Sequence, residues 1–318
     1  MTSIYINQMP KVFAEVFKSA RENLGKRIRE NRPSVTDSSV TTYVSMLSNF
    51  FYKHHDKDTP LDMSFFRDEK RIMDILKDKP PSTRKSMLAA IVVLNGKDHK
   101  TEIISNQMKE DVATAKEEIS RQVKTKKQEE NWVDYESIKD LHKRYEVEAL
   151  KRLDSKGKLS EPDKEFITRY MMFTLSSGVY MPPRRSDMVL IKIKDVDPDK
   201  DNFIDMPKNE FVYNQYKTVK KYGQQRVGYP QTFKAILKKY LAKVKGQTFL
   251  LEHRGQPFLP SELTKEMYQI FGKKISTSML RHIYLSSIYK DIPALNEMLE
   301  RAEDMGHSIL ESFKYVKR

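Results

Sequence analysis

The chain has 318 residues, 38% of them hydrophobic, which is enough to bury the cores of two ordinary domains. Cysteine is absent, which excludes disulfides, thiolate metal sites and a cysteine nucleophile. Lys and Arg together number 58 against 44 Asp and Glu, and the resulting net charge of +14 favours a polyanionic partner. The N-terminal residues lack the apolar run of a signal peptide, and no segment approaches the length of a membrane span. We therefore expect a soluble intracellular protein with no membrane partner.

The first third of the chain has the apolar spacing of helices. The segment TDSSVTTYVSMLSNFFYKHH places its apolar residues on one helical face, with Thr36 or Asp37 as the N-cap. A second helix is predicted in PSTRKSMLAAIVVLNG, with Ser82 as its cap and Gly96 as its stop signal. A third helix is expected over residues 106–123.

A change of pattern marks the predicted domain boundary. The segment RQVKTKKQEEN is polar throughout, which indicates a linker or a solvated helix end. We accordingly predict a helical domain at residues 1–125, a linker at 126–131 and a second domain at 132–318.

The second domain is predicted to be helical around a strand-rich insert. Two amphipathic helices come first, and the second of them begins at Pro162 and ends near Gly178. Short β-type runs follow from MVLIKIKDVD to QQRVGYP, with a strand EFVYNQYKTV that enters a turn at Tyr222–Gly223. Helices return at 231–244, after a cap at Ser261, at 276–289 and at 293–305. The predicted fold class is mainly α with a small antiparallel β-sheet.

The positive charge is concentrated in one segment. From Phe211 to Leu251 no acidic residue occurs, and tyrosines alternate with nine basic residues. The nine are Lys217, Lys220, Lys221, Arg226, Lys234, Lys238, Lys239, Lys243 and Lys245. Such a field suits a nucleic acid. An acidic membrane is the rival target, but the segment lacks an amphipathic helix with a bulky apolar face.

Four short motifs stand in one order in the second half of the chain. They are PPRRSDM (Pro182–Met188), YKTVKKYG (Tyr216–Gly223), STSMLRHIYLS (Ser276–Ser286) and MGHSILESFKY (Met305–Tyr315). Each alone is typical of a helix cap or a charged surface. Together they resemble the tyrosine recombinase (phage integrase) family, and most of all the integrases of large DNA viruses, virophages and related mobile elements. The resemblance covers residues 132–318.

The resemblance implies a fold, an activity and a set of site residues. The N-terminal helices would form a DNA-binding domain like the family's core-binding domain, followed by the catalytic domain. The activity would be site-specific cleavage and rejoining of double-stranded DNA through a covalent 3′-phosphotyrosyl link, without metal or other cofactor. By position, the catalytic set would be Arg184, Lys217, Arg281, His307 and the nucleophile Tyr315.

Alternatives remain at two of these positions. Arg185 adjoins Arg184, and we interpret it as a charge that contacts the DNA backbone. Lys220 and Lys221 compete with Lys217, because the register of a hairpin is not fixed by its sequence. The full set expected to contact DNA outside the catalytic set is Arg185, Lys220, Lys221, Arg226, Lys234, Lys238 and Lys239.

One position departs from the family pattern. Three residues before Arg281 the family usually has His or Lys, and this chain has Ser278, which leaves the general base unassigned. His282 follows Arg281, but one helical step rotates it by about 100°. We expect a core or supporting role for it.

Two other functions fit parts of the same pattern. A type IB-like DNA topoisomerase uses a similar residue set, although GHS and MLRH look more like recombinases. A catalytically weakened sequence-specific DNA-binding protein would fit Ser278.

The family also implies self-assembly to dimers and tetramers on DNA, in the nucleus or at a viral replication site if the host is eukaryotic. Three residues follow Tyr315, too few for a docking helix, so we expect a monomer in free solution, with two chains per DNA site and four in a synapse.

Overall fold

A computed structural model of the chain describes residues 11–56, 58–97, 99–290, 292–304 and residue 309. The chain divides into two compact units, Met1–Val123 with Pro293–Arg318, and Lys124–Ile292. The predicted class is confirmed, since the described residues are mostly helical and carry a small sheet. This division into compact units does not test the predicted domains at 1–125 and 132–318 or the linker at 126–131, so these ranges stay a prediction. Within the described ranges, no helix is long and apolar enough to cross a membrane.

The first unit is built from helices around an apolar core. Its helices are α1 (Lys11–Asn31), α2 (Asp37–Lys53), a 3-10 turn (Met63–Arg67), α3 (Glu69–Leu76), α4 (Pro81–Asn95) and α5 (Glu102–Ser120), with α13 (Leu295–Asp304). The core side chains include Leu24, Ile28, Leu47, Phe51, Phe66 and Ile72. Leu24 and Ile28 are four residues apart on α1, as are Leu47 and Phe51 on α2, and this spacing explains why burial stabilises these two segments as helices.

Local signals decide where these helices begin and end. Thr36 caps α2 by accepting a hydrogen bond from the Ser39 N–H at 3.3 Å, as predicted. Gly96 ends α4 with a φ of 61°, also as predicted. The predicted cap Ser82 is wrong, because the N-cap is Pro80 and the helix begins with a proline at residue 81, which places Ser82 inside its first turn. Helix α5 lies about one turn earlier than the predicted 106–123.

The second unit surrounds its sheet with helices. Its helices are α6 (Lys126–Asn131), α7 (Tyr135–Leu153), α8 (Glu161–Ser177), a 3-10 turn (Ser186–Leu190), the one-turn α9 (Val219–Tyr222), α10 (Gln231–Lys243), α11 (Pro260–Phe271) and α12 (Thr277–Ile288). Its strands are β1 (Ile191–Lys192), β2 (Asn202–Asp205), β3 (Glu210–Tyr213), β4 (Gln225–Gly228), β5 (Glu252–His253) and β6 (Gln256–Pro257).

The four-stranded sheet has the order β1-β2-β3-β4. β2, β3 and β4 pair antiparallel, as predicted, whereas the two-residue β1 pairs parallel to β2. Of the predicted strand MVLIKIKDVD, only Ile191–Lys192 is a strand, because its first part is the 3-10 turn. The segment around Phe249 also binds β1 and the residue after it, since the Leu250 N–H donates to the Ile191 carbonyl at 2.8 Å and the Ile193 N–H donates to the Thr248 carbonyl at 2.9 Å.

Two predicted segments differ in detail from the structure. The polar residues 126–131 form the short helix α6, because Thr125 and Gln128 make a reciprocal capping box. Helix α11 begins at Pro260, so the predicted cap Ser261 is wrong and lies inside the helix. The predicted end of the 293–305 helix, at Gly306, lies outside the described residues.

Helix α8 is the central element of the second unit. Every residue from Ile167 to Ser177 except Arg169 is buried, so this helix is surrounded by protein over its second half. Ser160 caps its start, and Gly178 ends it in the left-handed region with a φ of 86°. The ring of Tyr284 from α12 lies where a side chain at residue 178 would begin. Gly178 therefore permits a direct contact between the end of α8 and the middle of α12.

A buried histidine lies between α7 and α8. The Nε2 atom of His142 is 2.9 Å from the Thr174 Oγ1 atom, and the ring contacts Tyr170 and Phe173. Glu146 on the next turn of α7 accepts hydrogen bonds from the Tyr170 and Tyr180 hydroxyls at 2.8 Å each. Burial lowers the pKa of His142 from 6.5 to about 4, and Glu146 opposes this only in part.

This histidine makes stability depend on pH. Between pH 6.5 and about 4 the unfolded chain binds a proton at His142 that the folded chain does not. The free energy of unfolding should therefore fall by roughly 3 kcal/mol as the pH drops through this interval. Urea unfolding at several pH values measures the slope. His142→Phe should reduce the slope, and equal slopes in both proteins would contradict the assignment.

Candidate functional site

The guanidinium group of Arg184 is held on three sides. Its Nε and Nη2 atoms donate to the Asp187 Oδ2 atom at 3.1 and 2.5 Å, and its Nη1 atom donates to Gln225 Oε1 at 2.8 Å. The guanidinium carbon lies 4.2 Å from the ring centroid of Tyr213 and 5.3 Å from that of Tyr216. Three of the five N–H donors are used, so two remain for a ligand.

The sequence around Arg184 explains this geometry. Pro182 and Pro183 keep the chain extended after α8, because a proline provides no N–H for a helical hydrogen bond and disfavours a helical conformation in the residue before it. The 3-10 turn then begins at Ser186 and brings Asp187 back beneath Arg184. Arg185, between them, is exposed and makes no hydrogen bond or ion pair with the part of the chain that the structure describes.

A further arginine, Arg281, lies near Arg184 and Arg185. Arg281 is partly buried on α12, and burial together with the positive charges of Arg185 and Arg184 lowers its pKa. Its guanidinium group makes no hydrogen bond or ion pair within the described ranges. Three arginines and one carboxylate, that of Asp187, therefore form a cluster with an excess of positive charge. Such a cluster favours binding of an anion, which relieves the mutual repulsion.

Helix α12 positions Arg281 by its caps and its buried face. Ser276 accepts a hydrogen bond from the Met279 N–H at 3.2 Å, which starts the helix as predicted. Leu280 and Ile283 are buried in the core. The Tyr284 ring packs against Gly178, so the helix is fixed close to the end of α8.

Two other polar residues of α12 face solvent. Ser278, at the position where His or Lys was expected, is exposed in the first turn of the helix. His282 is also exposed, so the expected core position for it is wrong, and a supporting role for it stays a prediction. These two residues are four apart and lie on one helical face.

The three candidate lysines lie in the loop between β3 and β4. Lys217 precedes the one-turn helix α9, and Lys220 and Lys221 lie within it; all three are exposed. The Lys221 ammonium lies 5.0 Å from the ring centroid of Tyr222. Lys217 directly follows Tyr216, whose ring contacts Arg184.

The predicted strand EFVYNQYKTV is confirmed only over β3, and its extension to Lys217 is wrong. β3 ends at Tyr213, because the next two backbone N–H groups, of Asn214 and Gln215, donate to the Asn202 side chain at 2.8 and 2.7 Å. These groups are therefore not available to a neighbouring strand. Gln225 and Asn202 were not predicted at the site, because a polar residue at a strand end carries no distinctive signal in the sequence.

The basic segment is less uniform than its sequence suggests. Arg226 forms ion pairs with Asp205 and Glu210 at 3.0 Å each, and Lys239 pairs with Asp154 at 2.6 Å. Carboxylates of the same chain therefore compensate part of these two charges at the surface, and the contacts of Arg226 and Lys239 with DNA stay a prediction. Lys234 and Lys238 on α10 have no such partner among the described residues.

His307 and Tyr315, the last two residues of the predicted catalytic set, lie outside the described residues. Their roles stay predictions from the sequence motifs. The described part of the chain thus brings together Arg184, Arg281 and the loop of Lys217.

Comparisons with known proteins add little to this geometry. No protein-family model matches the chain, and no curated protein matches it. Among solved structures, the chain is similar to one described as the crystal structure of XerA recombinase, with 13% sequence identity. The similarity covers 85% of each chain at a TM-score of 0.33. A score this low establishes neither a shared fold nor a shared function.

Proposed function

We propose that this protein is a tyrosine site-specific DNA recombinase that cleaves and rejoins DNA strands. The observation that carries the proposal is the arginine cluster, in which Arg184 is oriented by Asp187 and Gln225 beside an unpaired Arg281. The motifs that supply these arginines precede a Gly-His-Ser and a tyrosine in the order found in that family. The likeness of the motifs to viral and virophage integrases favours integration of a mobile element.

The proposed reaction exchanges one phosphodiester for another. The Tyr315 oxygen attacks the phosphorus, forming a 3′-phosphotyrosyl bond, while the bond from phosphorus to the 5′-oxygen breaks. The phenolic proton passes to a general base that stays unassigned, because Ser278 provides none near neutral pH. The leaving 5′-oxygen gains a proton and becomes a hydroxyl. Reversal with a new 5′-hydroxyl rejoins the strand, so the reaction needs no external energy source.

The arginine cluster suits the transition state of this reaction. The phosphorane carries more negative charge on its non-bridging oxygens than the ground state does. The two free N–H donors of Arg184 and the unpaired guanidinium of Arg281 can clamp these oxygens, and His307 would add a further donor. Because Arg184 is already oriented, little reorganisation is needed when the charge develops.

Lys217 is the proposed general acid. It is the loop lysine that directly follows Tyr216, and the Tyr216 ring contacts the Arg184 guanidinium. This proximity to the cluster supports Lys217 over Lys220 and Lys221.

Self-assembly on DNA is part of the proposal. Leu285, Ile288 and Tyr289 are exposed at helical spacing along the end of α12. An exposed apolar stripe of this kind is typical of a surface that a partner covers. We propose that it is buried between protein copies in the dimer or tetramer on DNA.

Trapping of a covalent complex tests the function directly. The protein is incubated with nicked duplexes of randomised sequence, in which cleavage near the nick releases a short strand and prevents religation. Complexes that survive denaturation are recovered, and their DNA is sequenced. A recombinase should yield adducts with one enriched sequence. Adducts without enrichment would indicate a topoisomerase, and DNA binding without adducts would indicate a protein that has lost catalysis.

The proposal also predicts which lysines contact DNA. Replacing both Lys234 and Lys238 by alanine should lower affinity for all sequences alike. It should also reduce the slope of log affinity against log salt by about 0.9 for each phosphate that a lysine no longer neutralises. Titrations at several salt concentrations measure this slope.

Lys239→Ala is the matched control on the same helix. Because Lys239 is already paired with Asp154, its removal should change the slope less than removal of either unpaired lysine does. An unchanged slope in the double variant would mean that this face of α10 is only solvated. A large change in Lys239→Ala would mean that its ion pair opens on DNA.

A further inference from the structure

The side chain of Asn202 makes every hydrogen bond that an amide can make. It is fully buried at the start of β2. Its Oδ1 atom accepts from the Asn214 and Gln215 N–H groups at 2.8 and 2.7 Å. Its Nδ2 atom donates to the carbonyls of Asp187 and Gln215 at 3.2 and 2.9 Å.

These four bonds join two segments that are distant in sequence. Asp187 belongs to the 3-10 turn that orients Arg184, and Gln215 lies two residues before Lys217 in the loop between β3 and β4. Three of the four bonds go to the loop, and one goes to the turn. Asn202 therefore fixes the base of the lysine loop against the segment that holds the arginine.

The rest of the loop adds a second contact to the same arginine. The Tyr216 ring lies against the Arg184 guanidinium, and its hydroxyl donates to the Gly223 carbonyl across the loop at 2.6 Å. Lys217 itself is exposed and makes no hydrogen bond or ion pair within the described ranges. Its location is therefore set by its neighbours in the chain and not by contacts of its own.

We propose that Asn202 is a positioning residue that places Lys217 for protonation of the leaving 5′-oxygen. This inference rests on the proposed recombinase function. Asn202 is buried and acts only through the loop, so it does not itself donate the proton. Without its side chain, two N–H groups and two carbonyls lose their partners, and the base of the loop is released from the Asp187 turn. A misplacement of about 1 Å in a reacting group can reduce a rate about 100-fold.

A DNA substrate with sulfur in place of the bridging 5′-oxygen isolates this effect. When the phosphorus–sulfur bond breaks, the leaving group is a thiolate, which needs no proton because thiols are far more acidic than alcohols. A defect in the general acid should therefore disappear on the sulfur substrate. The measured quantity is the ratio of cleavage rates on the sulfur and oxygen forms of a duplex recovered from the covalent selection.

The expected results are specific for each variant. Asn202→Ala and Asn202→Ser should cleave the oxygen substrate about 100-fold and about 10-fold more slowly than the wild type, and both should approach the wild-type rate on sulfur. Lys217→Ala should show the same rescue. Arg184→Ala should remain slow on both substrates. A rate ratio for the Asn202 variants equal to that of the wild type or of Arg184→Ala would overturn the proposal.

Partial unfolding of an Asn202 variant would not change the ratio of its cleavage rates on the sulfur and oxygen substrates. Both substrates are cleaved by one preparation, so a smaller folded fraction lowers both rates and leaves their ratio unchanged. Asn209→Ala provides a matched control, because Asn209 has a φ of 60° in the turn at the opposite end of β3. This variant should be less stable with an unchanged ratio. If the wild-type protein forms no adduct at all, the proposed function fails, whereas adducts with an unchanged Asn202 ratio overturn only this inference.

Discussion

Replacing Tyr315 by phenylalanine is expected to abolish the covalent protein–DNA adduct while leaving DNA affinity nearly unchanged. The substitution removes the one oxygen that would bond to phosphorus and keeps the aromatic ring. No other step of the proposed reaction can replace that bond, so the loss should reach the detection limit. Denaturing gel electrophoresis with labelled nicked DNA measures the adduct, and binding under native conditions measures affinity.

Two other tyrosines serve as controls. Tyr289 is exposed at the end of α12, and Tyr284 packs edge-on against Tyr135 with ring centroids 5.6 Å apart. Tyr289→Phe should form adducts at the wild-type rate. An adduct in Tyr315→Phe that disappears only when Tyr289 or Tyr284 is also replaced would assign the nucleophile to that residue.

Arg281→Ala and Arg184→Ala should each slow cleavage by at least about 10²–10³-fold, as expected for loss of a donor that stabilises the transition-state oxyanion. Arg281→Lys should recover only part of the rate, because an ammonium group cannot bind two oxygens in a plane. Single-turnover cleavage at saturating protein separates this effect from weaker binding.

Arg185→Ala is the matched control for the arginine cluster. Arg185 adjoins Arg184 but is exposed and lacks the contacts to Asp187 and Gln225. We expect weaker DNA binding in this variant and a cleavage rate close to that of the wild type at saturation. The reverse result, with Arg185→Ala inactive and Arg184→Ala active, would exchange the two assignments.

The features that the sequence predicts correctly depend on neighbouring residues. The start of α2 at Thr36, the end of α8 at Gly178 and the start of α12 at Ser276 are set by hydrogen bonds or backbone angles within a few residues. Such signals are present in any short window of the sequence.

The features that the sequence does not predict depend on distant residues. The partners of Arg226 lie 21 and 16 residues away, and Asp154 lies 85 residues from Lys239. A charge count over one segment therefore overestimates the positive surface that remains for a ligand. The early end of β3 has the same origin, since Asn202 lies 12 residues before the N–H group of Asn214 that it binds.

The contact between Gly178 and Tyr284 makes the geometry of the arginine cluster sensitive to a residue that carries no functional group. Tyr284 lies one helical turn after Arg281, and Gly178 lies six positions before Arg184. A single methyl group at residue 178 would occupy the space of the Tyr284 ring and would also strain a backbone with a φ of 86°. To make room, the Tyr284 side chain or the helix that carries it would have to move, and a shift of α12 would carry Arg281 with it. Natural variation at residue 178 should therefore be as restricted as at the arginines themselves, for a purely steric reason.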